Sequence, residues 1–362
     1  MRNVIGWALA VALLAACGGS ADEPVVGGGG GSWEARVVFR APDKIGGLDV
    51  GELIASDPGE EIACVLRNGE AHIVLPSGSG SVTIKVADVG GEMLQCAIGD
   101  VDARYPGNEI VIAGMKSGTE EDGGPGAVYV LSHVSEHEGA WRCAEAWLAP
   151  ALVHGVTVMD IDPARPGNEI VCVGFDSAAT IVYRDGDGWA HETVVDLPGK
   201  GKSVAPLGSQ AVIATALGTV GFLTKDDDSW EFESLRVSEA GQSRLGVAPD
   251  GRIVSAGDDG ALRLIDDGKV TVIHREAQKL RGAVLADLDP ASPGLEAATA
   301  SYLMKITVLT PDGDGWRPEV VFTDTGKFHH LDAGDILPDS PGMELAGCGY
   351  SKNLVVVRRT AD

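Results

Sequence analysis

From Trp33 almost to its end, the chain alternates short apolar runs with polar, glycine-rich turns. The runs are rich in Val, Ile and Thr. Punctuated by Gly, such runs predict many short β-strands joined by tight turns. No segment beyond the first 16 residues keeps a helical period over a useful length. One hexapeptide, PGNEIV, is written twice, at Pro106–Val111 and at Pro166–Val171. It belongs to a longer unit that recurs as VGELIASDPGEEIACVL from Val50, IGDVDARYPGNEIVIAG from Ile98, VMDIDPARPGNEIVCVG from Val158, LADLDPASPGLEAATAS from Leu285 and AGDILPDSPGMELAGCG from Ala333. Each copy places Glu nine residues after an acidic residue: Glu52 and Glu61, Asp100 and Glu109, Asp160 and Glu169, Asp287 and Glu296, Asp335 and Glu344. A Pro-Gly always ends two residues before that Glu.

A second pattern is offset from the first. Alternating outer-strand runs open at Trp33, Ser81, Trp141, Trp189, Trp230, Lys269 and Trp316, two of them after DGDG turns that suit hairpins. One unit therefore reads as strand, acidic turn, strand, short turn, strand, turn, outer strand, which is the period of a propeller blade. Two further units, from Lys202 and from Ser243, keep the rhythm with a shorter first turn, bringing the count to seven. The first element, from Trp33, is an outer strand with no inner strands before it. The last unit, His329–Arg359, has three strands and stops. The expected fold is an all-β, seven-bladed β-propeller over residues 33–362, with the N-terminal strand completing the last blade and so removing open edges.

The segment before Trp33 reads differently. MRN carries a positive charge, VIGWALAVALL is too short an apolar run to span a bilayer, and LAAC ends at Cys17. This resembles a bacterial lipobox. The resemblance implies a lipoprotein signal peptide over residues 1–16, lipidation at Cys17, and a Gly-rich tether over residues 17–32. The expected location is the bacterial cell envelope, anchored by lipid alone, with the outer membrane favoured because no Asp follows Cys17.

Charge narrows the partners. The 362 residues carry a net charge of −25, with Asp and Glu scattered rather than blocked. Such a chain repels nucleic acid, and no basic stripe offsets this. A protein or carbohydrate partner and a monomeric state are expected. Cys64, Cys96, Cys143, Cys172 and Cys348 remain after Cys17; without a CxxC pair they read mainly as small buried hydrophobes, one disulfide being left open.

The acidic units resemble the FG-GAP or VCBS repeats, the propeller family also seen in integrin α-chain heads, through the turns GDVD, MDID, ADLD and AGDI with their following Glu. That family's loop, D-x-D-x-D-G-x-x-D, can hold calcium. The resemblance thus implies possible calcium ligands at Asp100, Asp102 and Glu109, at Asp160, Asp162 and Glu169, and at Asp287, Asp289 and Glu296. This chain departs from the pattern, with Arg104, Ala164 and Ala291 at the third ligand position. The alternative is that the acids bond backbone N–H groups within their turns.

Residues entering the innermost strands surround a propeller's channel. Alignment six residues before the acidic position gives Gly46, Leu94, His154, Arg281 and His329, with His330 next and Lys200, Lys202 and Arg244 nearby. His154, Lys202, Arg244, Arg281, His329 and His330 are thus expected at one mouth, as a ligand-binding cluster. Three readings stand: a transition-metal site built on the histidines, an anion site built on Arg and His, or solvated channel residues. No nucleophile elbow, P-loop, GxGxxG or HExxH is present, and no paired-carboxylate signature is visible, though propeller spacing can hide one. A non-enzymatic binding scaffold is the leading expectation. A metal-dependent carbohydrate lyase or dehydratase is the alternative, and it requires His154 with His329 or His330 as metal ligands.

Overall fold

The computed structural model describes residues 33–77, 80–118, 124–134, 141–226, 229–340 and 342–360. The expectations for the leader, for Cys17 and for the Gly-rich segment fall on residues outside these.

The described residues form seven four-stranded antiparallel sheets, in sequence order around a ring. The innermost strands are Ile45–Gly51, Glu92–Gly99, Val153–Met159, Gly201–Leu207, Gln242–Val247, Val284–Ala286 and Phe328–Gly334, which define blades 1 to 7. Each blade then runs outward strand by strand. The exception is blade 7, whose outer strand is Trp33–Arg40, paired antiparallel to Asn353–Arg359 with Trp33 opposite Arg359. The N-terminus therefore closes the ring, as the sequence implies. The shorter units occupy blades 4 and 5, whose first turns span only residues 208–209 and 248–252.

Burial follows position in the ring. The second strands lie between neighbouring blades and are buried throughout, as in Glu61–Leu66 and Glu169–Gly174. Outer strands such as Gly188–Asp196 face solvent along much of their length. The apolar cores sit between adjacent blades: Ile62, Cys64 and Leu66 of blade 1 pack with Ala346, Cys348 and Leu354 of blade 7. Cys64, Cys96, Cys172 and Cys348 are buried and unpaired, and Cys143 is exposed. The DGDG turns are two-residue hairpins in which Gly186 and Gly313 hold positive φ, the position glycine favours in a type II′ turn.

The repeated hexapeptide is a fastening device. Pro-Gly makes the bend, and Gly59, Gly107, Gly167, Gly294 and Gly342 all have φ between +80° and +104°. The Glu two residues later turns its carboxylate inward and accepts backbone N–H groups of its own turn. Glu109 Oε2 accepts from Val101 N at 2.9 Å and Asp102 N at 3.1 Å. Glu61, Glu169 and Glu296 repeat this pair of bonds, and Glu344 accepts from Leu337 N. Asn108 Nδ2 donates to Glu52 O of blade 1, and Asn168 Nδ2 donates to Asp100 O of blade 2, each at 2.8 Å. In blade 1 Glu60 stands at the Asn position and accepts from Asp335 N of blade 7, so the same link closes the ring.

The second acid of the turn fastens the following blade. Asp102 of blade 2 faces Arg184 of blade 3, Asp162 of blade 3 pairs with Lys225 of blade 4 at 3.0 Å, and Asp289 of blade 6 pairs with Arg359 of blade 7 at 3.1 Å. Each of these cations lies over a tryptophan near the start of an outer strand: Arg184 over Trp189, Lys225 over Trp230, Arg359 over Trp33. Trp and the acidic turn, two separate signals in the sequence, thus meet on one cation.

Candidate functional site

Strand direction decides which residues share a face. The turns that enter innermost strands, and those joining second to third strands, lie at one end of the ring. The acidic turns and the outer hairpins lie at the other. The acidic end presents Asp100, Asp160 and Asp287, all exposed.

The other end carries bases and aromatic rings around the channel. Phe175, Tyr302 and Tyr350 come from the second turns of blades 3, 6 and 7 and are partly exposed. Lys200 Nζ and Lys202 Nζ sit 4.1 and 4.3 Å from the Phe175 ring centre. Arg281 and Lys327 cover Tyr302 at 4.9 and 4.8 Å, and Lys44 and Arg67 cover Tyr350 at 5.3 and 5.2 Å. Cation–π contacts hold each positive charge in place, and Arg67 is tied further by an ion pair with Glu92 at 2.8 Å.

The histidines line the same mouth. His154 stacks on Phe175, and its Nδ1 lies 2.8 Å from Lys202 O. His329 stacks on Tyr350, with Nδ1 2.6 Å from Gly46 O. A carbonyl accepts only, so in both rings Nδ1 carries the proton. Arg244 Nη2 lies 3.4 Å from His329 Nδ1 as a packed neighbour, since that nitrogen already donates to Gly46 O. Burial drives the His154, His329 and His330 pKa values well down, and nearby cations push the same way: Lys202 and Arg244 for His154, Arg244 for His329 and His330. All three imidazoles are neutral at pH 7. Burial, and then Arg281, lowers Arg244 to about 9.

Arg281 is anchored rather than swinging. Its Nη1 donates to Asp258 Oδ1 at 2.6 Å and to Ser243 Oγ at 2.8 Å. Burial alone would raise the Asp258 pKa, but Arg281 holds it below the usual range. Of the residues expected at the mouth, His154, Lys202, Arg244, Arg281 and His329 gather there, and His330 sits one step deeper. Lys44, Arg67, Phe175, Tyr302, Lys327 and Tyr350 join them without having been anticipated.

The geometry bears on both metal readings. Among the described residues no group of three His, Cys, Asp or Glu is arranged to hold an ion. The histidines share their space with arginine and lysine, whose charge opposes a second cation. In the acidic turns the Glu oxygens are committed to backbone N–H groups, and Asp102 is bonded by Arg104 at 2.6 and 2.8 Å. Asp162 is paired with Lys225 and Arg165, and Asp289 with Arg359. This donor set does not suit calcium, which needs six or more oxygens converging on one point.

The class that fold and site define is a seven-bladed β-propeller with a basic, aromatic-ringed mouth in a strongly acidic chain. No family model matches the sequence, and no curated protein does. Solved structures do match. The chain is similar to the WD40 β-propeller domain of Doa1, with a TM-score of 0.65 at 11% identity over 90% of this chain and 99% of that one. It is also similar to the β-propeller domain of Myceliophteria thermophila Cps50 (Swd1), with a TM-score of 0.63 at 11% identity over 90% and 100%. Identity this low speaks for the fold alone.

Proposed function

We propose that the protein is a lipid-anchored scaffold of the bacterial cell envelope that binds a carboxylate-rich partner at its basic mouth. The leader ending at LAAC supports the anchor, and the acidic turns with their following Glu support kinship with the FG-GAP and VCBS repeats. One observation carries the binding reading: three aromatic rings around one opening, each covered by two cations, in a chain of net charge −25. Such a patch attracts an anion against the field of the whole molecule, and the rings add apolar contact for a peptide or sugar face. An acidic protein segment is the first candidate and a uronic-acid glycan the second.

Calorimetric titration with polyglutamate and with oligogalacturonate tests this. The proposal predicts binding that weakens steeply with salt and is lost in Lys200→Glu/Lys327→Glu. Salt-independent binding, or none to either polymer, contradicts it.

A further inference from the structure

Arg244 divides the channel. On one side is the basic mouth. On the other, toward the acidic turns, lies a cavity of about 470 Å³ lined by Arg244, His330, Asp49 and Asp332 but not by His154, His329 or Arg281. Arg244 is 3% exposed, and its Nε–H has no acceptor in the protein. His330 Nδ1 is likewise buried without a partner.

Asp49 and Asp332 come from the innermost strands of blades 1 and 7 and hydrogen-bond side chain to side chain. Carboxylates this close hold a proton between them, so the pair carries about one negative charge. Each also accepts a backbone N–H from the following blade, Asp49 from Ile98 N and Asp332 from Val50 N. Burial, the partner carboxyl and backbone N–H groups are the leading influences on both. The cavity therefore holds a cation with an unused donor and, apart from it, an acid pair that shares a proton. Val156, Val204, Leu285 and Leu331 supply its apolar wall.

We propose that this cavity binds a small zwitterion of the amino-acid type, with its carboxylate on Arg244, its ammonium on Asp49 and Asp332, and its aliphatic side chain against the valines and leucines. A divalent cation would meet the buried charge of Arg244, and the third acid of the lining, Asp287, stands at the exposed end of the cavity. A neutral sugar would leave both charges uncompensated, and a simple anion would leave the acid pair so. The way in is from the acidic end, where Met343, 41% exposed, stands at the rim. The site lies across Arg244 from the mouth and does not depend on what the mouth binds.

The test is calorimetry on the full chain at pH 7 with L-leucine and Leu-Leu, against N-acetyl-leucine and leucinamide, which lack one charge each. The expected result is binding of the zwitterions, with each capped form at least tenfold weaker and Asp332→Asn lowering leucine affinity at least tenfold. The capped ligands test charge pairing even if the variant fails to fold. Absence of heat from a panel of aliphatic amino acids and dipeptides, or equal binding of capped and free forms, overturns the proposal. Polyglutamate binding in the same samples reports the mouth separately.

Discussion

Replacing Glu109 by Gln separates a turn fastener from a calcium ligand. Glu109 is 1% exposed and bonds two backbone N–H groups of its turn. Burial pushes its pKa from 4.5 up to about 7, against the pull of those two bonds. Glu109 thus holds more proton in the native state than in the unfolded chain between those values, and its own contribution to stability falls as pH rises from 4.5 to 7. The shift corresponds to roughly 3 kcal/mol at full ionisation. Gln keeps an acceptor for both N–H groups without the charge. Glu109→Gln should therefore match the parent below pH 4.5 and exceed it by up to about 3 kcal/mol at pH 8. Glu109→Ala at pH 4, by contrast, leaves two buried donors unpaired and should cost about 2–4 kcal/mol. Urea and thermal melts of the parent and both variants across pH 4–8 are the assay. A Gln variant less stable than the parent at pH 8, or a difference between the two that does not grow from pH 4.5 to 8, refutes the reasoning. A calcium ligand would behave in the refuting way, since Gln binds the ion more weakly.

Three further outcomes follow from the same contacts. Arg359→Met should cost about 1–2 kcal/mol by leaving Asp289 unpaired and uncovering Trp33, and Asp289→Asn should recover part of the loss in a double-mutant melt. Deleting Trp33–Arg40 leaves the edge of Asn353–Arg359 open, so the truncated chain should aggregate on light scattering where the parent stays dispersed. Added calcium should leave the melting temperature unchanged, and a saturable rise would restore the acidic turns as ion sites.

Much of the fold was legible because each blade repeats a bonding problem. Glu, Pro-Gly and the paired acids recur at fixed spacing, since every such turn has the same N–H groups to satisfy and the same next blade to hold. Blades 4 and 5 were legible only by rhythm, because their shorter turns dispense with that device. His154, Arg281 and His329 were found because they share one offset from the acidic turn. Phe175, Tyr302 and Tyr350 sit in a different set of turns, where no repeated acid marks the register, so only the folded ring shows that they meet the same cations. Asp49 and Asp332 lie in ordinary alternating strands, 283 residues apart, and become neighbours only because the last blade closes against the first. The calcium expectation rested on the acids alone. It could not see that Arg184, Lys225 and Arg359 arrive from the following blade.

The most direct test of the central claim is where an anionic partner lands. Amide hydrogen exchange with and without polyglutamate at low salt should show protection in the turns bearing Arg67, Phe175, Tyr302 and Tyr350 and at the entry to the innermost strands. Protection confined to the acidic turns or the outer strands, with these turns unchanged, would contradict the account.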